Sequence, residues 1–407
     1  MQRVVVTGMG LISCLGKSLD AISEGLRRGR SRVVFCEERK ALGFRSGLLT
    51  RLPEIDYRAE LDRKARKFMP QAALYTACAT NRALEDAGLT REEIRRPDVG
   101  IVIGNDSSSE RVPDLLHLME EKKDTHYLGS AAVIQLMNST VSMNLGPYLG
   151  ALGINMTISA ACSSGAHAIG QAYHLLRSGA QRLIFAGGAQ EDTWLGAATF
   201  DAINAFSVRE HDPAGAVRPF DKDRDGLAPS AGGAMLVLET LESARERGAR
   251  VHAEIIGYGF SSDGDHLTLP SGDGALRCMR AALQSAGLQP GDVDYVNAHA
   301  TGTIEGDRVE AIAIRETFGG NGPLVSSTKA ITGHECWMAG ASEAIYCILM
   351  MRDGFLAPNL NFTGFDEDTP PIRIVRETLR GAPFTVLSNS FGFGGTNASL
   401  VLRRPRD

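Results

Sequence analysis

Short Val- and Ile-rich runs alternate with longer amphipathic stretches along nearly the whole chain, and this alternation restricts the fold more than any other feature. Strand-like runs fall at 3–7, 99–104, 153–158, 182–187, 233–239, 251–258, 293–297, 323–326, 372–375 and 384–388. Helical stretches fall at 18–28, 66–87, 110–121, 130–145, 163–179, 191–203, 241–248, 274–286, 307–318 and 335–353. A chain of this rhythm builds an α/β fold, a sheet with helices on both faces. Its 407 residues exceed what one core accommodates and predict two domains or two fused halves. A weak duplication agrees. Each half carries a short strand, a glycine-rich turn with a polar reactive residue, and then a helix. The seam is expected near 241–250, dividing the chain into 1–245 and 246–407.

Composition narrows the function. A net charge of −5 argues against a general nucleic-acid binder. The seven cysteines lack a CxxC pair or metal-like spacing, which points to a reducing compartment. No apolar run reaches the roughly 20 residues that span a bilayer. The run Arg3-Val4-Val5-Val6 is too short for a secretion signal, so a cytoplasmic protein without membrane association is expected.

One cysteine stands out by position. Ile154-Asn155-Met156-Thr157-Ile158 reads as a strand and breaks into Ser159-Ala160-Ala161-Cys162-Ser163-Ser164-Gly165, where a helix begins. Unpaired N–H groups and the positive end of the helix dipole favour a thiolate there, so Cys162 is a candidate nucleophile. Two histidines occupy comparable turns: His299 in Asn297-Ala298-His299-Ala300-Thr301-Gly302-Thr303, and His334 in Ser327-Thr328-Lys329-Ala330-Ile331-Thr332-Gly333-His334. One cysteine and two histidines, each at a strand-to-helix turn, form a set with matched roles. The loop Asn389-Ser390-Phe391-Gly392-Phe393-Gly394-Gly395-Thr396-Asn397 lies between two strand runs, and its glycines let backbone approach a ligand. Arg63-Lys64-Ala65-Arg66-Lys67 is a positive patch in an acidic chain, suited to an acidic partner. The start Thr7-Gly8-Met9-Gly10-Leu11-Ile12-Ser13 fails as a dinucleotide fingerprint, because Ser13 stands where the third glycine belongs.

Together these segments resemble the β-ketoacyl-[acyl carrier protein] synthases, the condensing enzymes of fatty acid and polyketide synthesis, nearly end to end and with most similarity to the bacterial type I branch. The resemblance implies the thiolase fold, two duplicated halves in a layered αβαβα architecture. It implies decarboxylative Claisen condensation of an acyl-enzyme thioester with malonyl-[acyl carrier protein], giving β-ketoacyl-[acyl carrier protein] and CO2 in fatty acid or polyketide/polyene elongation. Carried over residue by residue, Cys162 accepts the acyl chain, His299 and His334 drive malonyl decarboxylation, and Lys329 with Glu343 and Asp307 supports that site. Phe393 gates it, and the backbone N–H groups of Cys162 and Phe393 form the oxyanion hole. Thr301 and Thr303 bind the pantetheine arm, and Lys64 and Lys67 contact the carrier protein. Asn297, Glu310, Ser388 and Asn389 match a structural monovalent-cation site, K+ or Na+. No cofactor is required for catalysis, since the substrates ride on the phosphopantetheine of acyl carrier protein. The expected assembly is a homodimer or a heterodimer with a related subunit.

The chain departs from the family after the second histidine. His-x-Leu-Gly-Ala-Ala-Gly is usual; here His334-Glu335-Cys336-Trp337-Met338-Ala339-Gly340 stands. Trp337 and Met338 replace a small pair, so something opposite must be smaller or a pocket reshaped. Two other readings compete: a chain-length-factor-like partner subunit, which usually loses the nucleophile, and a coenzyme A thiolase, which carries a second cysteine in place of the second histidine.

Overall fold

The computed structural model describes residues 1–405. Eleven strands form its main sheet: β1 (Val4–Ile12), β2 (Val99–Gly104), β3 (Asn155–Ile158), β4 (Leu183–Gln190), β5 (Gly232–Thr240), β6 (Ala253–Ser262), β7 (Tyr295–Asn297), β8 (Leu324–Ser326), β9 (Arg373–Ile374), β10 (Thr385–Gly392) and β11 (Thr396–Arg403). Their order across the sheet is β9-β8-β7-β10-β11-β6-β1-β5-β4-β2-β3. The first five strands lie in the order 3-2-4-5-1, and the five beginning with β6 repeat that order, with β9 added at the edge. The two arrays join where Val4–Val6 pairs antiparallel with Ala253–Ile255.

Helices complete the αβαβα layers. The central layer holds α2 (Ser164–Arg177) and α5 (Ala339–Asp353), packed on each other and on strands of both arrays. Helix α5 is buried around almost its whole circumference, as expected of a helix that is apolar on every side. An outer layer carries α1 (Gln71–Ala87) on β1 and β5; the opposite one carries α3 (Asp273–Ala286) and α4 (Ile304–Phe318). The glycines near the start belong to this packing. A Cβ at Gly10 would fall 1.9 Å from the Ala79 carbonyl and one at Gly8 2.5 Å from that of Ala83, so the alanine-rich α1 lies directly on the strand.

Most expected elements form, and the exceptions have local causes. The helix expected over 66–87 breaks at Pro70 into Arg63–Arg66 and α1. The one expected over 130–145 splits into Ala132–Gln135 and Thr140–Leu149. The one expected from 335 begins as a 3-10 turn at Cys336–Met338 and becomes α-helical only at Ala339. A hairpin of Val33–Phe35 with Leu48–Thr50 has no counterpart among the expected strands.

Candidate active site

Cys162 lies in a 3-10 turn, Ala161–Ser163, between β3 and α2. The turn is tightly determined. Ala161 adopts a left-handed φ of 46°, an unfavourable conformation for a residue with a Cβ, and its N–H donates to Asp106 Oδ2 at 2.7 Å. Ser163 and Ser164 donate to the carbonyls of Ala160 and Ala161, each at 2.6 Å. These bonds fix the thiol at the mouth of α2, as its sequence position predicted. The expected thiolate, however, is not the resting form. Burial pushes the Cys162 thiol up to about 12, although the charge of Lys329 pulls it down. A helix terminus contributes at most about 2 kcal/mol, some 1.5 pH units, too little to reverse that.

His299 follows β7. Its N–H and that of Ala300 donate to the carboxylate of Glu310 on α4, at 2.9 and 2.7 Å. Asp307, one turn earlier, accepts the N–H groups of Gly302 and Phe220. The two acids therefore pin the loop that carries His299, Thr301 and Thr303. Burial raises both carboxyls, Asp307 to about 7. His334 is anchored by its backbone, its N–H donating to Ala228 and its carbonyl accepting from Ser230. The rings of His299 and His334 stand 5.4 Å apart at 85°. Burial, followed by the charge of Lys329, holds both imidazoles well below their ordinary pKa, so both are neutral. Lys329 Nζ lies 2.5 Å from Glu343 Oε1, both side chains almost wholly buried. Burial raises the Glu343 carboxyl to about 7 against the pull of that lysine.

A cleft of about 340 Å3 is lined by Cys162, His299, His334, Thr301, Thr303 and Phe393. The Thr301 and Thr303 hydroxyls lie 3.1 Å apart. Phe393, 39% exposed, sits in the turn between β10 and β11 and stacks on Phe200 with centroids 5.9 Å apart. Lys329 and Glu343 stand behind the histidines and do not line the cleft. Asn297, Glu310, Ser388 and Asn389 gather beneath His299: Ser388 is the strand partner of Asn297, and Asn389 Nδ2 donates to Glu310 Oε1 at 3.0 Å. Lys64 and Lys67 are exposed around a separate short helix and are not part of the cleft wall.

Two parts of the site carried little sequence signal. Asp106, which holds the cysteine turn, lies in a loop notable only for its polarity, and Phe200 lies in an unmarked helix, Trp194–Ala202. The room required opposite Met338 exists. A Cβ at Gly188 would meet Met338 Cα at 2.7 Å, and one at Gly232 would meet Met338 Cε at 3.2 Å.

Residues 1–244 match the family model "Beta-ketoacyl synthase, N-terminal domain", and residues 252–363 match "Beta-ketoacyl synthase, C-terminal domain". The chain is 41% identical to 3-oxoacyl-[acyl-carrier-protein] synthase 1 of Escherichia coli K12 over 410 aligned positions, covering all of both chains. Its structure superposes on the crystal structure of a β-ketoacyl synthase from Burkholderia phymatum STM815 with a TM-score of 0.95, 38% identity and full coverage of both. It also superposes on the ishigamide ketosynthase/chain length factor with a TM-score of 0.92, 31% identity and full coverage of both.

Proposed function

Because the chain belongs to the β-ketoacyl synthase family, we propose that it is an acyltransferase that joins an acyl group held on Cys162 to malonyl-[acyl carrier protein], releasing CO2 and β-ketoacyl-[acyl carrier protein]. The observation that carries this reading is the meeting of one thiol and two neutral imidazoles in one cleft, with the buried Lys329–Glu343 pair behind them.

The Cys162 thiol attacks the acyl thioester. The carbonyl–sulfur bond to pantetheine breaks, and the departing thiolate takes up the proton that Cys162 loses. The N–H groups of Cys162 and Phe393 receive the oxyanion. The malonyl thioester then binds along Thr301 and Thr303. Its bond to the carboxylate breaks, CO2 leaves, and the electron pair forms an enolate. Neutral His299 and His334, each an N–H donor, stabilise the enolate oxygen without a metal. Burial, and after it the charge of Lys329, which is paired with Glu343, keeps both imidazoles neutral. The enolate carbon attacks the acyl-cysteine carbonyl, and Cys162 leaves and is reprotonated.

Asn297, Glu310, Ser388 and Asn389 fit a structural K+ or Na+: their side chains are all buried, and Ser388 Oγ and Asn297 Nδ2 make no hydrogen bond. Such an ion would brace the His299 loop from below. The enzyme works in the cytoplasm as a homodimer, its halves 1–245 and 246–407 supplying Cys162 and the histidines respectively, and Lys64 and Lys67 dock the carrier protein. Among the described residues no helix is long and apolar enough to cross a membrane. The presence of Cys162 favours a catalytic synthase over a chain-length-factor-like partner, and His334 disfavours a thiolase. Incubation with acyl- and malonyl-[acyl carrier protein] tests the proposal. An acyl adduct on Cys162 followed by CO2 release and β-ketoacyl product is expected, and a protein that takes up no acyl group at Cys162 would overturn it.

A further inference from the structure

We infer that Trp337 ends the acyl subsite a short distance beyond Cys162 and restricts this enzyme to short acyl chains, an inference that rests on the condensing role proposed above. Exposed Leu267 and Leu269 line the cleft together with Thr301 and Thr303, the residues proposed to hold the pantetheine arm. An acyl group bonded to Cys162 Sγ must extend away from that arm, toward the remaining neighbours of the cysteine turn. Besides β10, β11 and α5, these include the loop after β2, whose Asp106 accepts from Ala161, and the turn Cys336–Met338. The second turn is in close apposition: a Cβ at Gly165 would meet the carbonyl oxygens of Trp337 and Met338 at 3.1 Å.

Trp337 spans the gap between that loop and that turn. Its indole N–H donates to Ser107 Oγ at 2.9 Å, so the ring crosses from one turn to the other loop. Ser107 is itself held, donating to Glu191 Oε1 at 2.9 Å. Glu191 is only 4% exposed and also accepts the N–H groups of Ser109 and Glu110. Beside the indole lies Phe200, with centroids 6.0 Å apart, and Phe200, like Cys162, lines the cleft. An indole hydrogen-bonded at its polar tip and packed against a second aromatic ring is a fixed wall, not a side chain free to swing aside for a long substrate. In a tight apolar pocket each methylene that fits or is excluded changes selectivity by about 10- to 200-fold.

The test compares acyl loading onto Cys162 from acetyl, hexanoyl and dodecanoyl thioesters of pantetheine, followed by intact mass spectrometry, in the wild type, Trp337→Ala and Ser107→Ala. The wild type should load dodecanoyl at least about a hundredfold more slowly than acetyl. Trp337→Ala should raise the dodecanoyl-to-acetyl ratio about tenfold or more, and Ser107→Ala, which frees the indole without removing it, should raise it less. Should Trp337→Ala fail to fold, the rise in Ser107→Ala carries the result. A wild type that loads dodecanoyl as fast as acetyl, or a ratio unmoved in every folded variant, overturns the inference and leaves the condensing role standing. If no thioester loads at all, the condensing role fails, and this inference fails with it.

Discussion

The two strand arrays share one order and use it differently. In the first, the ends of β2 and β3 present a thiol, several serines and amides, and carboxylates employed in holding backbone N–H groups, Asp106 that of Ala161 and Glu110 that of Gln71. In the second, the corresponding ends of β7 and β8 lead into a concentration of ionisable groups: half-buried His299 with buried Asp307 and Glu310 after one strand, buried Lys329, His334 and Glu335 after the other, with buried Glu343 on the helix that follows. The proposed nucleophile is therefore made by backbone geometry, and the proposed decarboxylation site by buried electrostatics. Chemistry divided in this way should come apart under mutation.

The largest effect is expected at the thiol. Cys162→Ala should abolish condensation, a loss of more than about a thousandfold, while malonyl-[acyl carrier protein] still loses CO2 because the histidine pair is intact. Simultaneous assays of β-ketoacyl product and released CO2 separate the two outcomes. The reverse is expected of His299→Ala. Decarboxylation should fall about 10²- to 10³-fold, as when one oxyanion donor is removed, while the acyl adduct still forms on Cys162 in the mass spectrum. If either variant loses both half-reactions together, the division between the arrays is wrong.

The same division explains what could be read in the sequence. Cys162, His299 and His334 were legible because each follows a strand run and opens a helix or glycine turn, a pattern local in sequence. The repeated rhythm of strands and helices carried the α/β layers for the same reason. The Thr7-Gly8-Met9-Gly10 start showed its glycines but not their purpose, since the close approach of α1 involves residues some seventy positions away. Asp106 was invisible for a related reason: its partner is a backbone N–H, which leaves no mark on composition. The thiolate expected at Cys162 failed because a helix dipole can be inferred from local sequence but full burial cannot, and burial dominates. Lys329 and Glu343 are 14 positions apart, and only the turn Cys336–Met338 and the start of α5 bring them together.

That pair supplies the next test. Lys329→Met leaves Glu343 buried beside no cation, which should cost about 3–5 kcal/mol of stability, measured by urea unfolding. The double variant Lys329→Met/Glu343→Leu, which removes the charge as well as its partner, should recover most of that loss. In the first array no residue at the strand ends should respond so strongly; Asp106→Asn, which retains an acceptor for the Ala161 N–H, should cost about 1 kcal/mol. A loss below about 1 kcal/mol for Lys329→Met would remove the electrostatic half of the contrast.

A pH-dependent effect is expected at Glu335, whose carboxylate accepts the hydroxyls of Ser342 and Tyr346 and has no cation bound to it. Burial raises it from an ordinary 4.5 to about 8, the two hydroxyls opposing and the charge of Glu343 adding to the rise. A carboxyl raised on folding makes its stabilising contribution in the protonated form. That contribution is fully present below about 4.5 and is lost as pH climbs through about 8. Glu335→Gln keeps the shape without the titration. The stability of the wild type relative to this variant should therefore decline across the window from pH 4.5 to 8, by at most about 1.4 kcal/mol per pH unit, and level off above it. Urea midpoints of both proteins at matched pH values measure the difference. A difference that stays flat across the window would mean that Glu335 ionises as it does in water. The turn that carries Trp337 would then be held by hydrogen bonds from Ser342 and Tyr346 to an ionised carboxylate, as the cysteine turn is held by Asp106.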